Sequence, residues 1–218
     1  MLLNSAIAVF VFFHNVSYRA ISSLAVRING GVHPKHRIIG YHRFFLEHIP
    51  ANARVLDVGC GDGHLDAAIA KRTSRIVGMD IKADSIKKAQ HRHASAKIEY
   101  LVGDATTYKF TEKFDAVILS NTLEHIKDRV GFLKKLSKQA PLFLLRVPAL
   151  TRDWLTVYKK EGGLEYRLDP THYIEYTEES FRDELEKAGL TIQSLTTQFG
   201  EFYAVATVNS FPSQDRHA

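Results

Sequence analysis

The chain has 218 residues, of which 45% are hydrophobic, and this size and composition fit one globular domain with a full core. Its net charge of +5 is mild and does not by itself indicate nucleic-acid binding.

The single cysteine, Cys60, excludes an intrachain disulfide, Cys-His zinc fingers and cysteine-ligated iron–sulfur clusters. It also favours a reducing compartment, so we expect a cytoplasmic protein.

The N-terminal segment is apolar at first and then basic. The uninterrupted apolar run Ala6–Phe13 is shorter than the ~20 residues of a spanning helix, and no Lys or Arg precedes it, so it is a poor signal peptide. The spacing of apolar residues over Ser17–Ile28 predicts an amphipathic helix that ends at the Asn-Gly-Gly of 29–31. We therefore expect residues 1–35 to form a helical extension.

Two roles for this extension remain open. It packs on the domain, or it lies on the inner face of a membrane with the bases of residues 1–43 toward anionic headgroups. In the second case the protein is peripheral on that membrane. The bases are Arg19, Arg27, Lys35, Arg37 and Arg43.

Short β-rich runs then alternate with helical patterns. The runs are ARVLDV, RIVGMD, KIEYLV, FDAVILS and LFLLRV, with helices predicted at His64–Lys71, Ala83–His91 and Arg129–Lys138. This alternation predicts a doubly wound α/β domain over residues 36–209, with an irregular stretch after Pro148, a helix at Glu178–Ala188 and a final hairpin. Residues 210–218 are expected to fray.

The stretch VLDVGCGDGHL joins the first strand of this pattern to its helix. Gly59, Gly61 and Gly63 would let a ligand approach the backbone closely at the carboxyl end of the strand. The Lys-Ser/Thr of a Walker loop is absent, and the third glycine comes one residue too early for a dinucleotide fingerprint. The stretch instead resembles the first motif of class I S-adenosylmethionine-dependent methyltransferases.

The following strands agree with that resemblance. Strand ends at Asp80, Asp104 and Ser120 resemble the second, third and fourth motifs of the family, with Asp80 suited to the ribose hydroxyls and Asp104 to the adenine amine. The resemblance implies a Rossmann-like seven-stranded sheet whose last strand is antiparallel, and S-adenosyl-L-methionine as cofactor. The cofactor-binding residues it implies are Asp57, Gly59, Cys60, Gly61, Gly63, Asp80, Ile81, Asp104, Ala105, Ser120 and Asn121.

The second half of the chain resembles the ubiquinone-biosynthesis type of small-molecule methyltransferase. RVPAL and DPTHYIEYTEESFRDELEKAGL carry this resemblance. Some relatives hold a metal with E-x-x-E-H and a later histidine, which implies a divalent cation on Glu124, His125 and His172. The chain departs from that pattern at Asn121, a weaker ligand than glutamate. Without a metal, His125 or His172 is the candidate catalytic base.

The expected function is methyl transfer to an oxygen atom of a small-molecule acceptor, such as a quinone precursor, a sugar or a lipid-linked intermediate. SNTLEH replaces the Asp/Asn-Pro-Pro-aromatic motif of base-amine methyltransferases, which argues against a nucleic-acid partner. The alternatives are RNA 2′-O-methylation, or a catalytically inactive cofactor-binding subunit. Aromatic and basic residues between the fifth strand and the late helix predict a lid over an apolar or anionic acceptor.

Overall fold

The computed structural model describes residues 2–209, and the side chains of residues 5–209. The tail predicted at 210–218 lies outside these residues. Seven strands form one sheet in the order β3-β2-β1-β4-β5-β7-β6. Their bounds are β1 Arg54–Val58, β2 Arg75–Asp80, β3 Ile98–Val102, β4 Ala116–Ser120, β5 Leu142–Pro148, β6 Leu190–Gln198 and β7 Glu201–Val208.

Strands β1 to β5 pair in parallel, and β7 runs antiparallel to both of its neighbours. This confirms the predicted Rossmann-like sheet and its final hairpin. The helices are α1 Leu2–Ile28, α2 Lys35–Ile39, α3 His42–His48, α4 His64–Ile69, α5 Ala83–Arg92, α6 Arg129–Leu136, α7 Trp154–Glu161 and α8 Glu178–Lys187. Short 3₁₀ helices lie at Leu123–His125 and Leu150–Arg152.

The core lies on both faces of the sheet, because helices cover each face. Leu56 and Val117 belong to one buried cluster, which also contains residues of α6 and α8. Val55 and Ile118, one position away on the same strands, belong to the other cluster, with Phe45 of α3. The central strands therefore read as continuous apolar runs, as parallel strands do. Their carboxyl ends meet along one edge of the sheet, where the site forms.

The N-terminal extension differs from its prediction. One continuous helix, α1, replaces a short apolar run followed by an amphipathic helix, because Leu2–Ile28 contains no glycine or proline to stop it. By length and composition, Ser5–Ile28 could cross a membrane, which the short apolar run Ala6–Phe13 alone did not predict. The predicted apolar stripe is also not a core face: Tyr18, Ile21, Leu24 and Ile28 are all exposed.

The stretch after β5 is also more regular than predicted. Helix α7 is capped at its N-terminus by Asp153, whose carboxylate accepts hydrogen bonds from the amide and hydroxyl of Thr156 at 2.8 and 2.9 Å, and at its C-terminus by Gly162. An Asp N-cap and a closing glycine are the ordinary signals of a helix. Both residues stand in the stretch that was predicted to be irregular, and together they could have indicated helix α7 from the sequence. We refer to residues 150–177, which include α7, as the lid, after the role predicted for this stretch from the sequence.

Candidate active site

The glycine turn follows β1 and is held by backbone hydrogen bonds to β2. The amides of Gly59 and Cys60 donate to the carbonyl of Met79 at 2.7 and 3.1 Å, and the amide of Gly61 donates to Asp80 Oδ2 at 3.0 Å. The other Asp80 oxygen accepts from the Lys82 amide at 2.7 Å. A carboxylate has about four lone-pair sites, so Asp80 can still accept two hydroxyl groups.

The three glycines of the turn have positive φ but different reasons to be glycine. A Cβ on Gly59 would lie 2.2 Å from Thr122 Oγ1, and one on Gly63 would lie 2.4 Å from the Tyr100 hydroxyl. A Cβ on Gly61, at φ +59°, would meet nothing within 4 Å. The outer two glycines therefore allow close packing of the protein on itself, whereas Gly61 faces open space that a ligand can use.

A cavity of about 200 Å³ opens above this turn, and we call it the cofactor cavity. It brings together six of the predicted cofactor residues, which are Asp57, Gly59, Cys60, Gly61, Ser120 and Asn121. The other lining residues were not predicted as site residues, and they include Lys35, His36, Tyr41 and Arg146. The first three come from the basic segment before β1, in which the sequence analysis gave Lys35 a possible role at a membrane and gave His36 and Tyr41 no role.

Arg146, near the end of β5, is the most notable of the unpredicted residues. Its side chain is 4% exposed, its Nε lies 3.0 Å from Glu201 Oε2, and its guanidinium lies 4.0 Å from the ring centroid of Tyr41. Its Nη1 is buried and has no hydrogen-bond partner among residues 2–209. The signal in the sequence was a lone arginine within an apolar strand, in RVPAL. A buried guanidinium with a free donor suits an anionic ligand group.

The other predicted cofactor residues do not line this cavity. Gly63 ends the turn, and Asp80 and the exposed Ile81 lie at the end of β2. Asp104 is exposed after β3, where hydrogen bonds from Thr106 lower the pKa of its carboxyl. Ala105 is buried in the core. Apart from Gly63, these residues lie at or just after the ends of β2 and β3, on the other side of the glycine turn from Arg146 in the strand order.

Two buried carboxyl groups lie beneath the turn. Asp57 and Asp66 are within hydrogen-bonding reach of each other, and neither oxygen of Asp66 has a donor among the described residues. Burial is the main cause that raises the pKa of each carboxyl, and the neighbouring acid adds to this for Asp66. Two carboxylates within hydrogen-bonding reach in an apolar setting cannot both ionise easily, so the charge of one opposes ionisation of the other.

The residues predicted to bind a metal do converge. Glu124 and His125 lie in the 3₁₀ helix after β4, and His172 comes from the lid. One ligand atom from each lies within 4.8 Å of the other two, and the two imidazole centroids are 4.6 Å apart. Glu124 and His172 are buried, whereas His125 is exposed. The group therefore has one side open to solvent, where an acceptor can approach.

The surrounding residues orient this group. His172 Nδ1 lies 3.4 Å from the fully buried carboxylate of Glu175, and His125 Nδ1 lies 3.0 Å from the Thr171 hydroxyl. When the Nδ1 atom of each imidazole donates its hydrogen bond, the Nε2 atom of each ring carries the lone pair that can bind a cation. Burial raises the pKa of Glu124 to about 8, and its Oε2 is buried without a partner in the described chain. Two available imidazoles and an unpaired carboxyl oxygen fit a divalent cation.

Comparison with known proteins identifies the class of this chain. A family described as "Methyltransferase domain" matches residues 33–195. An uncharacterized methyltransferase of Mycobacterium tuberculosis is 42% identical over 83 residues, which cover 38% of this chain and 42% of that protein. A ubiquinone biosynthesis O-methyltransferase of Rhodopseudomonas palustris is 29% identical over 119 residues, which cover 53% of this chain and 47% of that protein. The chain thus spans under half the length of these curated relatives.

Solved structures agree at the level of the fold. An S-adenosylmethionine-dependent methyltransferase from Clostridium acetobutylicum gives a TM-score of 0.65 at 13% identity, covering 89% of this chain and 100% of that one. Magnesium protoporphyrin IX methyltransferase from Synechocystis, with bound SAH, gives 0.59 at 22% identity, covering 79% and 80%. The fold is that of the class I S-adenosylmethionine-dependent methyltransferases. The chain belongs to the methyltransferase domain family, and this membership implies S-adenosylmethionine as its cofactor.

Proposed function

We propose that the chain transfers the methyl group of S-adenosylmethionine to an oxygen atom of a small molecule, next to a divalent cation held by Glu124, His125 and His172. The observation that carries the proposal is the convergence of these three side chains after the carboxyl end of β4, where one ligand atom from each lies within 4.8 Å of the other two. Relatives named ubiquinone biosynthesis O-methyltransferase support oxygen as the acceptor atom. A quinone precursor, a sugar and a lipid-linked intermediate are the candidate acceptors.

The cation and the protein have separate tasks in this proposal. A bound divalent cation acts as a Lewis acid that lowers the pKa of an acceptor hydroxyl. Methyl transfer is an in-line displacement, so the chain itself mainly orients two reactants and excludes water. Partial loss of hydration around the ring and the neighbouring His172 lower the pKa of His125, which favours the neutral imidazole near pH 7. A neutral imidazole at the open side of the group can also accept the acceptor proton if no cation is bound.

We further propose that Arg146 binds the carboxylate of the methionine moiety. Ser120 pairs with Arg146 across β4 and β5, and both residues line the cofactor cavity beside the glycine turn. The free Nη1 would then gain a charge-assisted hydrogen bond, while Glu201 keeps the rest of the guanidinium in place. Asp80 is left for the ribose, on the opposite side of the turn.

Cation binding provides the direct test of this proposal. Calorimetry with Mn²⁺, Zn²⁺ and Mg²⁺ should detect one site, and Glu124→Gln or His172→Gln should weaken it by about 10–100-fold or more. The exposed residues Glu179 and His91 supply matched controls, and Glu179→Gln and His91→Gln should leave the affinity unchanged. S-adenosylmethionine should bind equally to all four variants. Absence of cation binding in the unaltered chain would remove the metal from the proposal but not the methyltransferase.

Membrane association through α1 is part of the same proposal. The helix exposes large apolar side chains, namely Val9, Phe10, Phe12, Phe13, Val16, Tyr18, Ile21, Leu24 and Ile28. Among its polar side chains, Asn15 contacts the protein, because its Nδ2 donates to the Glu165 carbonyl of the lid at 3.0 Å. A helix packed on a soluble core would bury most of its large apolar side chains, whereas α1 leaves these nine exposed. Because the middle of α1 is bonded to the lid, the helix lies along a membrane surface rather than across it.

A further inference from the structure

A second cavity, of about 510 Å³, lies between α1 and the lid, and we call it the α1–lid cavity. It shares no lining residue with the cofactor cavity. Phe199 and Gly200, in the turn between β6 and β7, form part of its wall. The Ala149 amide donates to the Gly200 carbonyl at 2.9 Å, so the cavity lies just beyond the carboxyl end of β5. It is therefore on the same edge of the sheet as the active site.

Four cationic side chains line this cavity, but only two of them have carboxylate partners. Arg152 is paired with Glu175, and Arg167 is paired with Glu165 at 2.7 Å. The other two, Arg19 of α1 and Lys159 of α7, form no ion pair with a carboxylate in the described part of the chain. The carboxylate of the lining residue Asp153 is already used as the cap of α7. The cavity therefore offers positive charge that the protein does not neutralise.

Lys159 is the strongest indication of a ligand. The residue is 5% exposed, and the hydrogen-bond partners of its ammonium among the described residues are Asn15 Oδ1 at 2.8 Å and His14 Nδ1 at 3.2 Å. Burial is the main cause that lowers its pKa, and the nearby charge of Asp153 acts in the opposite direction. A buried ammonium that forms no ion pair with a carboxylate is costly, and a bound anion would reduce that cost. Because His14 and Asn15 belong to α1, such an anion would also strengthen the contact between α1 and the lid.

The apolar residues around the cavity indicate what carries the anion. The cavity wall includes the rings of Tyr18, Trp154 and Phe199, which are 54%, 77% and 64% exposed. Phe10 and Phe13, on the same helix as Arg19, are exposed as well. A ligand with an anionic head and an apolar body would satisfy both sets of residues. Aromatic side chains beside cations are typical of the interfacial zone of a bilayer.

We propose that the α1–lid cavity binds the phosphate-type headgroup of a membrane lipid. Lys159 and Arg19 contact the anion, and the apolar body of the lipid continues along α1 into the bilayer. This inference rests on the proposed membrane contact of α1 and does not depend on methyl transfer. The bound lipid would fix how the catalytic edge of the sheet faces the membrane.

Calorimetry of the full chain in neutral detergent tests the inference. The probes are dihexanoyl phosphatidic acid, dihexanoyl phosphatidylcholine and inorganic phosphate, each with a blank titration into detergent alone. Phosphatidic acid should bind, and phosphatidylcholine and inorganic phosphate should bind at least about tenfold more weakly. Lys159→Gln should lower the affinity for phosphatidic acid by about tenfold, as expected for the loss of a charge-assisted contact. Lys160→Gln should not, because Lys160 is an exposed neighbour outside the cavity.

A second pair of variants covers the case in which Lys159→Gln fails to fold. Arg19→Gln should lower the affinity for phosphatidic acid, whereas Arg27→Gln, on the same helix but outside the cavity, should leave it unchanged. If Lys160→Gln lowered the affinity for phosphatidic acid as much as Lys159→Gln, and Arg27→Gln as much as Arg19→Gln, the effect of charge would be diffuse. That result would overturn the inference. Inorganic phosphate binding as tightly as phosphatidic acid would overturn the lipid assignment. If the chain binds phosphatidylcholine vesicles but not phosphatidic acid in detergent, the membrane contact stands and the headgroup site does not.

Discussion

The two sides of the active site are built from different kinds of contact. On the glycine-turn side, backbone amides bond to the backbone of β2 and to Asp80, within about twenty residues of chain. On the lid side, side chains from distant segments meet: His125 contacts His172, and Lys159 contacts Asn15. The first kind of contact is local and depends on glycine geometry. The second requires the tertiary fold, and it leaves charged and apolar groups available for ligands.

The largest expected effect is on the glycine-turn side. Gly59→Ala places a Cβ 2.2 Å from Thr122 Oγ1 at a positive φ, so it should lower the free energy of unfolding by about 2–5 kcal/mol from overpacking and backbone strain together. Gly61→Ala meets no neighbouring atom and should cost about 1–2 kcal/mol. Gly61→Ala should nevertheless weaken S-adenosylmethionine binding. Chemical unfolding and calorimetry check both variants, and equal destabilisation by the two would contradict this account of the turn.

The next effect separates the two ends of the cofactor. Arg146→Gln removes the proposed partner of the methionine carboxylate, so the affinity for S-adenosylhomocysteine should fall by the ~1.5–3 kcal/mol of a hydrogen bond to a charged group. Methylthioadenosine lacks that carboxylate and should bind the variant and the unaltered chain alike. Calorimetry with both ligands gives the comparison. A similar loss for both ligands would mean that Arg146 supports the fold around Glu201 and does not contact the cofactor.

Sequence reasoning succeeded where structure depends on the chain's own local pattern. The succession of strands and helices along the chain, the glycine turn after β1 and the position of Glu124 and His125 after β4 follow from short motifs. Their convergence with His172 was expected from a resemblance and needed the fold to be seen. Lys35, Tyr41 and Arg146 have no local motif, because their place above the cofactor cavity depends on how the segment before β1 folds back over the sheet. Helix α1 was predicted wrongly because the apolar run and the amphipathic segment join without a break into one helix.

The acid pair beneath the turn gives a smaller, pH-dependent effect. The pKa values of Asp57 and Asp66 are raised above the ordinary 3.8, so the folded state holds more protons than the unfolded state above that pH. Their contribution is therefore fully present below about pH 3.8 and is lost as pH rises through the raised pKa, by up to about 1.4 kcal/mol per pH unit for one proton. Asp66→Asn should flatten this decline. Chemical unfolding at several pH values checks it, and an unchanged slope would show that the pair does not share a proton.

The smallest expected effect concerns the outer surface of α1, and it tests whether the lid side of the molecule meets a membrane. Phe10 is 74% exposed to solvent, although burial of a phenylalanine side chain contributes about 1.5–3 kcal/mol. If this side chain enters the bilayer interface only in part, Phe10→Ser should lower vesicle affinity by about tenfold, near the lower end of that range. Val102, 55% exposed on β3 and far from α1 in the strand order, supplies the control variant Val102→Ser. Flotation with phosphatidylcholine vesicles measures apolar insertion without attraction between charges. Equal flotation of both variants and the unaltered chain would indicate that the apolar surface of α1 faces another protein, because an apolar surface this large does not remain in water without a partner.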